Sequence, residues 1–183
     1  MSDTNAEAEG VATSAMPINI LAQYIRDISF ENPMAPDSLR SGLDNPEMDI
    51  SIGMDARKLP DKDLDNLYEV VVNLRAVAQR SEEQPLFILE MQYGVTVALS
   101  DIPEDNHHAV LLIEIPRLAF PYVRQIVSDL TTQGGYPPLI LNPVDFRALY
   151  MERFKDEIAQ AERDLQEEEA PKKKSVKKSK NDE

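Results

Sequence analysis

Long runs of alternating apolar and polar residues are the feature that most constrains the fold of this chain. Side chains of a β-strand point alternately to opposite faces, so alternation with a period of two predicts a strand with one buried face. Four segments alternate in this way, at 18–31, 47–55, 67–79 and 85–99. The connections among the last three carry turn residues and no helical periodicity, so the strands must run mainly antiparallel. We therefore predict a four-stranded antiparallel sheet.

Two later segments have apolar residues at helical spacing. The first is predicted over 120–132, with Pro121 in its first turn and two glycines after its end. The second is predicted to begin with Asn142 as its N-cap residue. Strands followed by helices indicate an α+β fold, with two main helices packed on one face of the sheet.

The alternation also sorts the residues of the predicted sheet onto two faces. One face is apolar and includes Ile18, Ile20, Tyr24, Ile28, Phe30, Ile50, Ile52, Leu89, Met91 and Tyr93. The other face carries Asp27, Glu31, Glu69 and Glu90, with Gln23 and the aliphatic residues Ile25, Val71 and Ile88. A solvated sheet face is the usual reason for such a pattern. A docking surface for a basic protein is the alternative, since apolar positions rimmed by charge suit an interface.

The charge of the chain restricts its partners. The formal net charge is −14, with 33 acidic against 19 basic residues. Residues 171–183 contain six lysines and two acids, so the first 170 residues hold 31 acidic and 13 basic side chains. This balance repels nucleic acid and anionic lipid and favours basic partners.

The sequence contains no signal for membrane insertion or export. The first ten residues have neither a basic start nor a following apolar segment, unlike a signal peptide. The richest apolar stretch, 109–120, is interrupted by charged residues and proline and is shorter than the roughly 20 residues needed to span a bilayer. We expect a cytoplasmic protein without direct membrane insertion.

No group of residues suggests catalysis. The chain has no cysteine, and its two histidines, His107 and His108, are adjacent in a segment that we predict to be a solvated loop. It also lacks a phosphate-binding loop, a dinucleotide fingerprint and a nucleophile elbow. We therefore expect no enzyme activity, no metal and no cofactor.

The composition divides the chain into three parts. Residues 1–16 are small and polar, which predicts a disordered extension. Residues 17–165 contain the predicted strands and helices and would form one domain. Residues 166–183 are acidic and then lysine-rich, which predicts a second disordered tail.

Three longer stretches carry a family resemblance, and they follow one another in the family's order. They are YIRDISFENPMAP at 24–36, LYEVVVNLRAVA at 67–78 and FPYVRQIVSDLTTQGGYPPLILNPVDFRALY at 120–150. Together they resemble the SecB family of export chaperones. The resemblance implies a homotetramer, arranged as a dimer of dimers, that holds unfolded secretory precursors without ATP and delivers them to the SecA ATPase.

The resemblance also implies roles for particular residues. Contacts with the basic tail of SecA fall on Asp27, Glu31, Ile88 and Glu90. A client-binding groove falls on Tyr24, Leu43, Ile50, Ile52, Tyr150 and Phe154. Tetramer contacts fall on Leu89, Met91, Tyr93, Tyr122 and Ile126. A chaperone of the same fold that serves one dedicated partner, such as a toxin–antitoxin system, remains the alternative.

Overall fold

The computed structural model describes residues 17–40, 46–80, 85–156 and 160. The two predicted disordered tails, the C-terminal boundary of the domain at 165 and the candidate groove residue Leu43 lie outside these described residues.

Four strands form one antiparallel sheet, as predicted. They are β1 (Ile18–Glu31), β2 (Glu47–Lys58), β3 (Leu67–Gln79) and β4 (Pro85–Leu99). Their spatial order is β1-β4-β3-β2, so the last three strands form consecutive hairpins and β1 lies beside β4 at the opposite edge. The central strands β3 and β4 consequently carry most of the buried residues.

The helical part is larger than the sequence pattern indicated. A short helix α1 (Asp37–Arg40) follows β1. After β4 come α2 (Glu104–Ala109), a π-helical segment (Val110–Glu114) and α3 (Ile115–Gln133), which are continuous along the chain. The helix α4 (Phe146–Arg153) completes the fold.

The predicted helix boundaries were partly wrong. Helical structure begins at Glu104 and not at 120, and Pro121 lies inside α3 instead of opening it. A proline within a helix leaves one carbonyl without its usual partner, which is tolerated where water can reach that carbonyl. The predicted stop is confirmed, because Gly135 after α3 adopts a φ of 88°, a conformation that favours glycine.

The helix α4 begins later than predicted. Its N-cap is Asp145, whose Oδ1 accepts a hydrogen bond from the Ala148 amide at 2.9 Å. Asn142 was predicted for this role because a proline follows it, yet it lies outside the helix. Asp145 satisfies one of the amide groups that have no partner within the first turn.

The two histidines lie in α2 and not in a loop. His107 is 5% exposed, and its two ring nitrogens lie 3.0 Å from the Tyr68 hydroxyl and 2.9 Å from the Ile102 carbonyl oxygen. The sequence around the histidines is polar because only one face of α2 meets the core, so its helical structure could not be predicted from apolar periodicity. His107 therefore has a structural role in joining α2 to β3.

The core lies between the sheet and the helices. The helix α3 packs on β3 and β4. Residues with 0% exposure include Val70, Val72, Leu89, Val97, Ile115, Val123 and Val127. Full burial of one such side chain contributes about 1.5–3 kcal/mol, so this layer holds the sheet against α3 and leaves its other face open.

Candidate binding surfaces

The face of the sheet that points away from α3, here called the outer face, is built from regular rows of residues across the four strands. Paired positions place side chains of neighbouring strands on the same face. One row is Glu31, Ile88, Val77 and Asp49, and the next is Ser29, Glu90, Arg75 and Ser51. A third row is Asp27, Gln92, Asn73 and Gly53.

These rows collect four carboxylates, Asp27, Glu31, Asp49 and Glu90, which we call the acidic end of the outer face. All four residues are exposed. Glu90 accepts a hydrogen bond from Arg75, with 3.0 Å between Oε1 and Nε, and both side chains are about half exposed. A pair this exposed contributes little to stability, so the acidic end keeps a negative field.

The four residues to which the resemblance gave SecA contacts lie together at this end. Glu31 pairs directly with Ile88, and Glu90 and Asp27 belong to the next two rows. Sequence reasoning missed Asp49, which lies in the same row as Ile88. Asp49 could have been found from its residue number, because the odd-numbered residues of β2 pair with outer-face residues of β3.

The predicted face assignment of β1 was wrong in its middle. The register of β1 against β4 shifts between Ile20 and Ala22 and again between Ile25 and Asp27. Each shift is a β-bulge, which adds a residue and exchanges the two faces beyond it. Tyr24 therefore points to the outer face and not to the core, while Ile25 joins the helix side. Of the aliphatic residues predicted among the acids, Val71 is only 6% exposed, and Ile88 is the one that lies in the acidic end.

The opposite end of the outer face centres on a buried carboxylate. Glu69 is 4% exposed, although sequence alternation had placed it on the open face. Its Oε2 accepts hydrogen bonds from Arg57 Nε at 2.5 Å and from Arg26 Nη1 at 3.4 Å, and its Oε1 accepts one from the Tyr24 hydroxyl. We call Arg26 and Arg57 with Glu69 the arginine end.

Hydrogen bonding fixes the protonation states at the arginine end. The hydrogen bond from Tyr24 and the neighbouring Arg57 and Arg26 lower the pKa of Glu69 against the opposing effect of burial. The same bond to Glu69, together with burial, raises the pKa of Tyr24. Glu69 is therefore held as a carboxylate and Tyr24 as a neutral donor.

The five described residues of the predicted client groove lie in three separate places. Tyr24 is on the outer face. Ile50 and Ile52 lie on the helix side of the edge strand β2, where Ile50 remains 40% exposed. Tyr150 of α4 and its C-cap residue Phe154 pack against His108, with ring centroids 5.5 Å and 4.7 Å away. A single chain does not bring all of these residues into one groove.

An apolar groove that the sequence analysis did not name runs beside the end of β2. It is lined by Pro46, Met48, Ala78, Leu86, Phe87, Tyr136, Pro137, Pro138 and Leu139. Four of these residues belong to the segment after α3, so only the tertiary fold assembles the groove. Met48 shares its strand face with Ile50 and Ile52, which makes the apolar surface continuous along β2.

The residues predicted for tetramer contacts divide into buried and exposed groups. Leu89, Met91 and Tyr93 are buried within the single chain, which already accounts for their apolar character. Tyr122 on α3 is 50% exposed and Ile126 is partly buried. Leu118, one turn before Tyr122, is 43% exposed and was not singled out from the sequence.

Other kinds of site were sought in the part of the chain that the structure describes. Within those residues, no group of three or more histidine, aspartate or glutamate side chains could hold a metal ion. None of the described helices combines the length and the apolar character needed to cross a membrane.

An apolar strip on one side of a sheet and a charged outer face are typical of proteins that bind other proteins. Comparison with known proteins gives its family: the model of the family described as "Preprotein translocase subunit SecB" matches residues 12–157. The protein-export protein SecB of Caulobacter sp. (strain K31) is 44% identical over 157 residues, which cover 84% of this chain and 93% of that protein. The Paracoccus denitrificans SecB is 43% identical over 147 residues, which cover 80% of this chain and 81% of that protein.

A solved structure gives the same fold at low sequence identity. It is a SecB-like chaperone of Mycobacterium tuberculosis in complex with a ChAD peptide from the HigA1 antitoxin. Its TM-score is 0.55 at 17% identity, with 70% of this chain and 91% of that chain covered. The chain described here belongs to the SecB family, as the three sequence stretches predicted.

Proposed function

We propose that this protein is an ATP-independent chaperone that binds unfolded secretory precursors in the cytoplasm, keeps them competent for translocation and delivers them to SecA. The observation that carries the proposal is the separation of an acidic surface from an apolar one on a chain of the SecB family. Each surface suits a different class of partner, so a client and a delivery target can be bound together. Catalysis, nucleotide and cofactor have no place in this scheme.

Unfolded precursors would bind through their apolar segments. The strip formed by Met48, Ile50 and Ile52 continues into the groove beside Tyr136 and Leu139. Burial of apolar surface stabilises a complex by about 25 cal/mol per Å², and a long chain can engage several such sites at once. A folded protein hides its apolar segments, which gives selectivity without reading a sequence.

SecA would bind at the acidic end of the outer face. Glu31 pairs with the partly buried Ile88, and Glu90 and Asp27 lie in the next two rows, so Ile88 offers one apolar contact beside a negative field. Such an arrangement attracts a basic tail electrostatically and fixes it by burial of an apolar side chain. Asp49 adds a fourth carboxylate to the same row.

We also propose that the working form is a homotetramer, a dimer of dimers. Leu118 and Tyr122 form an exposed apolar pair on α3, one helical turn apart. A single chain leaves this pair in water, and contact with a second helix would bury it.

Charge reversal tests the proposed division of surfaces. Asp27→Lys or Glu90→Lys should weaken binding of the SecA C-terminal tail at least tenfold, with the largest loss at low salt. Binding of an unfolded precursor should change less than twofold, because these side chains point away from the apolar strip. Calorimetric titration of the tail peptide and inhibition of precursor refolding measure the two activities.

Asp65→Lys is the matched control, since Asp65 is an exposed acid in the connection between β2 and β3. It makes the same change of charge away from the acidic end and should leave both activities intact. An equal loss of tail binding in Asp65→Lys, or a joint loss of both activities in Glu90→Lys, would contradict the assignment.

A chaperone dedicated to one partner is the second candidate. The M. tuberculosis SecB-like chaperone was solved with an antitoxin peptide, so that protein uses this fold to hold a specific segment. The relatives at 43–44% identity are export proteins and favour the general role. Binding of several unrelated unfolded precursors with similar affinity would support export, and strong preference for one peptide would support the dedicated role.

A further inference from the structure

The outer face carries opposite charges at its two ends, and the chain itself contains a segment with a matching order of charges. The arginine end presents Arg26 and Arg57, whose side chains are 44% and 62% exposed. Along the strands, Glu90 of the acidic end lies six residues from the row of Arg57 and Glu69, about 20 Å by the usual rise per residue, whereas Asp27 directly follows Arg26.

The chain enters this surface from the arginine end. Near the end of α4, Arg153 Nη2 donates to Asp55 Oδ1 at 2.9 Å, and its Nη1 donates to the Met54 carbonyl oxygen. Asp55 belongs to the outer-face row of Val71, Gly94 and Tyr24. The residues that follow α4 therefore start at the β2 edge of the outer face, next to Arg57.

The sequence beyond α4 has two blocks of charge in a fixed order. Three consecutive glutamates occupy 167–169, and six lysines lie within 172–180. The residue at 168 is six positions before 174, and six extended residues span about 20 Å. That span equals the distance along the strands between the row of Arg57 and the row of Glu90. Residues 155, 156 and 160 are helical, so only the seven positions from 160 to 167 are counted as extended chain. They span about 23 Å, more than the width of the sheet, which is about 14 Å.

We propose that the chain's own segment 162–180 docks across its outer face, with the glutamates 167–169 on the arginine end and the lysines 172–180 on the acidic end. The guanidinium groups of Arg26 and Arg57 hold Glu69 with part of their donors and are exposed enough to bind further carboxylates. The lysines meet Asp27, Glu31, Asp49 and Glu90. Docked in this way, the segment competes with any basic partner of the acidic end, and this consequence alone rests on the proposed function.

Zero-length carbodiimide cross-linking of the full chain tests the proposal without any partner. The reagent joins lysines only to carboxylates that they touch, and mass spectrometry identifies the pairs. At low salt, lysines 172–180 should cross-link to Asp27, Glu31, Asp49 and Glu90 at least fivefold more often than to Asp65 or Asp105, which are exposed acids elsewhere. The excess should fall several-fold in about 0.5 M salt, where charges are screened within a few ångströms.

Two further arms make the result decisive. In a mixture of isotopically heavy and light chains, the cross-links should join residues of the same chain, and cross-links only between chains would overturn the proposal. A variant that exchanges the blocks, with lysine at 167–169 and glutamate at 172–174, keeps composition and net charge. It should lose at least two thirds of the acidic-end cross-links. Unchanged cross-linking in this variant, or equal cross-linking to Asp65 and Asp105, would show that charge order plays no part and overturn the docking.

Discussion

At the scale of single residues, the most informative feature is a carboxylate buried in a surface that faces water. Glu69 is enclosed by Tyr24, Arg26 and Arg57, so its charge is fully hydrogen-bonded. A buried charge is costly unless it is paired in this way. The network joins three strands, since Tyr24 and Arg26 belong to β1, Arg57 to β2 and Glu69 to β3. It therefore ties both edge strands to the middle of the sheet.

The lowered pKa of Glu69 predicts a particular dependence of stability on pH. In the unfolded chain the Glu69 carboxylate is protonated near its ordinary pKa of 4.5, whereas in the folded chain it is protonated only at lower pH. Glu69 should therefore contribute its full stabilisation above about pH 5. The free energy of unfolding should then fall as the pH drops through the lowered pKa. Glu69→Gln should cost about 1–2 kcal/mol near neutral pH and flatten this fall.

Urea unfolding at fixed protein concentration, followed from neutral pH down to about pH 3, measures both effects. Glu90→Gln is the control, because the side chain of Glu90 is 55% exposed and forms only a surface pair with Arg75. It should change stability by less than about 0.5 kcal/mol. Equal effects of the two substitutions would show that the network around Glu69 adds nothing beyond a surface ion pair.

At the scale of elements, β1 is the strand that departs from regular geometry. Its two register shifts turn the segment 22–25 over, which brings the Tyr24 ring onto the backbone of Gly94 in β4. A β-carbon at Gly94 would lie 2.6 Å from ring atoms of Tyr24. The glycine is required by this close approach, and the position of Tyr24 in turn allows its hydrogen bond to Glu69.

Gly94→Ala should therefore destabilise the protein by about 1–3 kcal/mol, the usual cost of overpacking, because Tyr24 must move away from Glu69. Gly53→Ala in β2 is the matched control, since its added carbon would meet nothing closer than the Asn73 β-carbon at 4.0 Å. Thermal unfolding compares the two. In a Tyr24→Ala background the Gly94 substitution should cost much less, and an undiminished cost there would contradict the proposed clash.

At the scale of the whole molecule, the sheet separates two surfaces while the helices leave apolar residues in water. The exposed pair Leu118 and Tyr122 on α3 lies on the side of the molecule opposite the acidic end. An exposed apolar patch of this kind is typical of an interface between protein chains. Assembly through α3 would leave the outer face free for a basic partner.

Leu118→Glu should therefore shift the protein from an assembly to a smaller species, by placing a charge in the proposed contact. Leu64→Glu makes the same change at a leucine that is similarly exposed, 40% against 43%, but lies between β2 and β3. Light scattering should show a lower mass only for Leu118→Glu. If the unsubstituted chain has a mass of 20.6 kDa at micromolar concentration, the homotetramer is excluded.

The sequence by itself determined the strands, the fold class, the family and three of the four carboxylates of the acidic end. Alternation is a local property, so Asp27, Glu31 and Glu90 could be placed on one face from their positions in their own strands. Tertiary structure decided the rest. A bulge depends on the partner strand, and this is why the faces of Tyr24 and Ile25 were exchanged. The burial of Glu69 depends on arginines from β1 and β2, and the burial of His107 depends on Tyr68 in β3. Such contacts join residues far apart in sequence, and no periodicity within one segment records them.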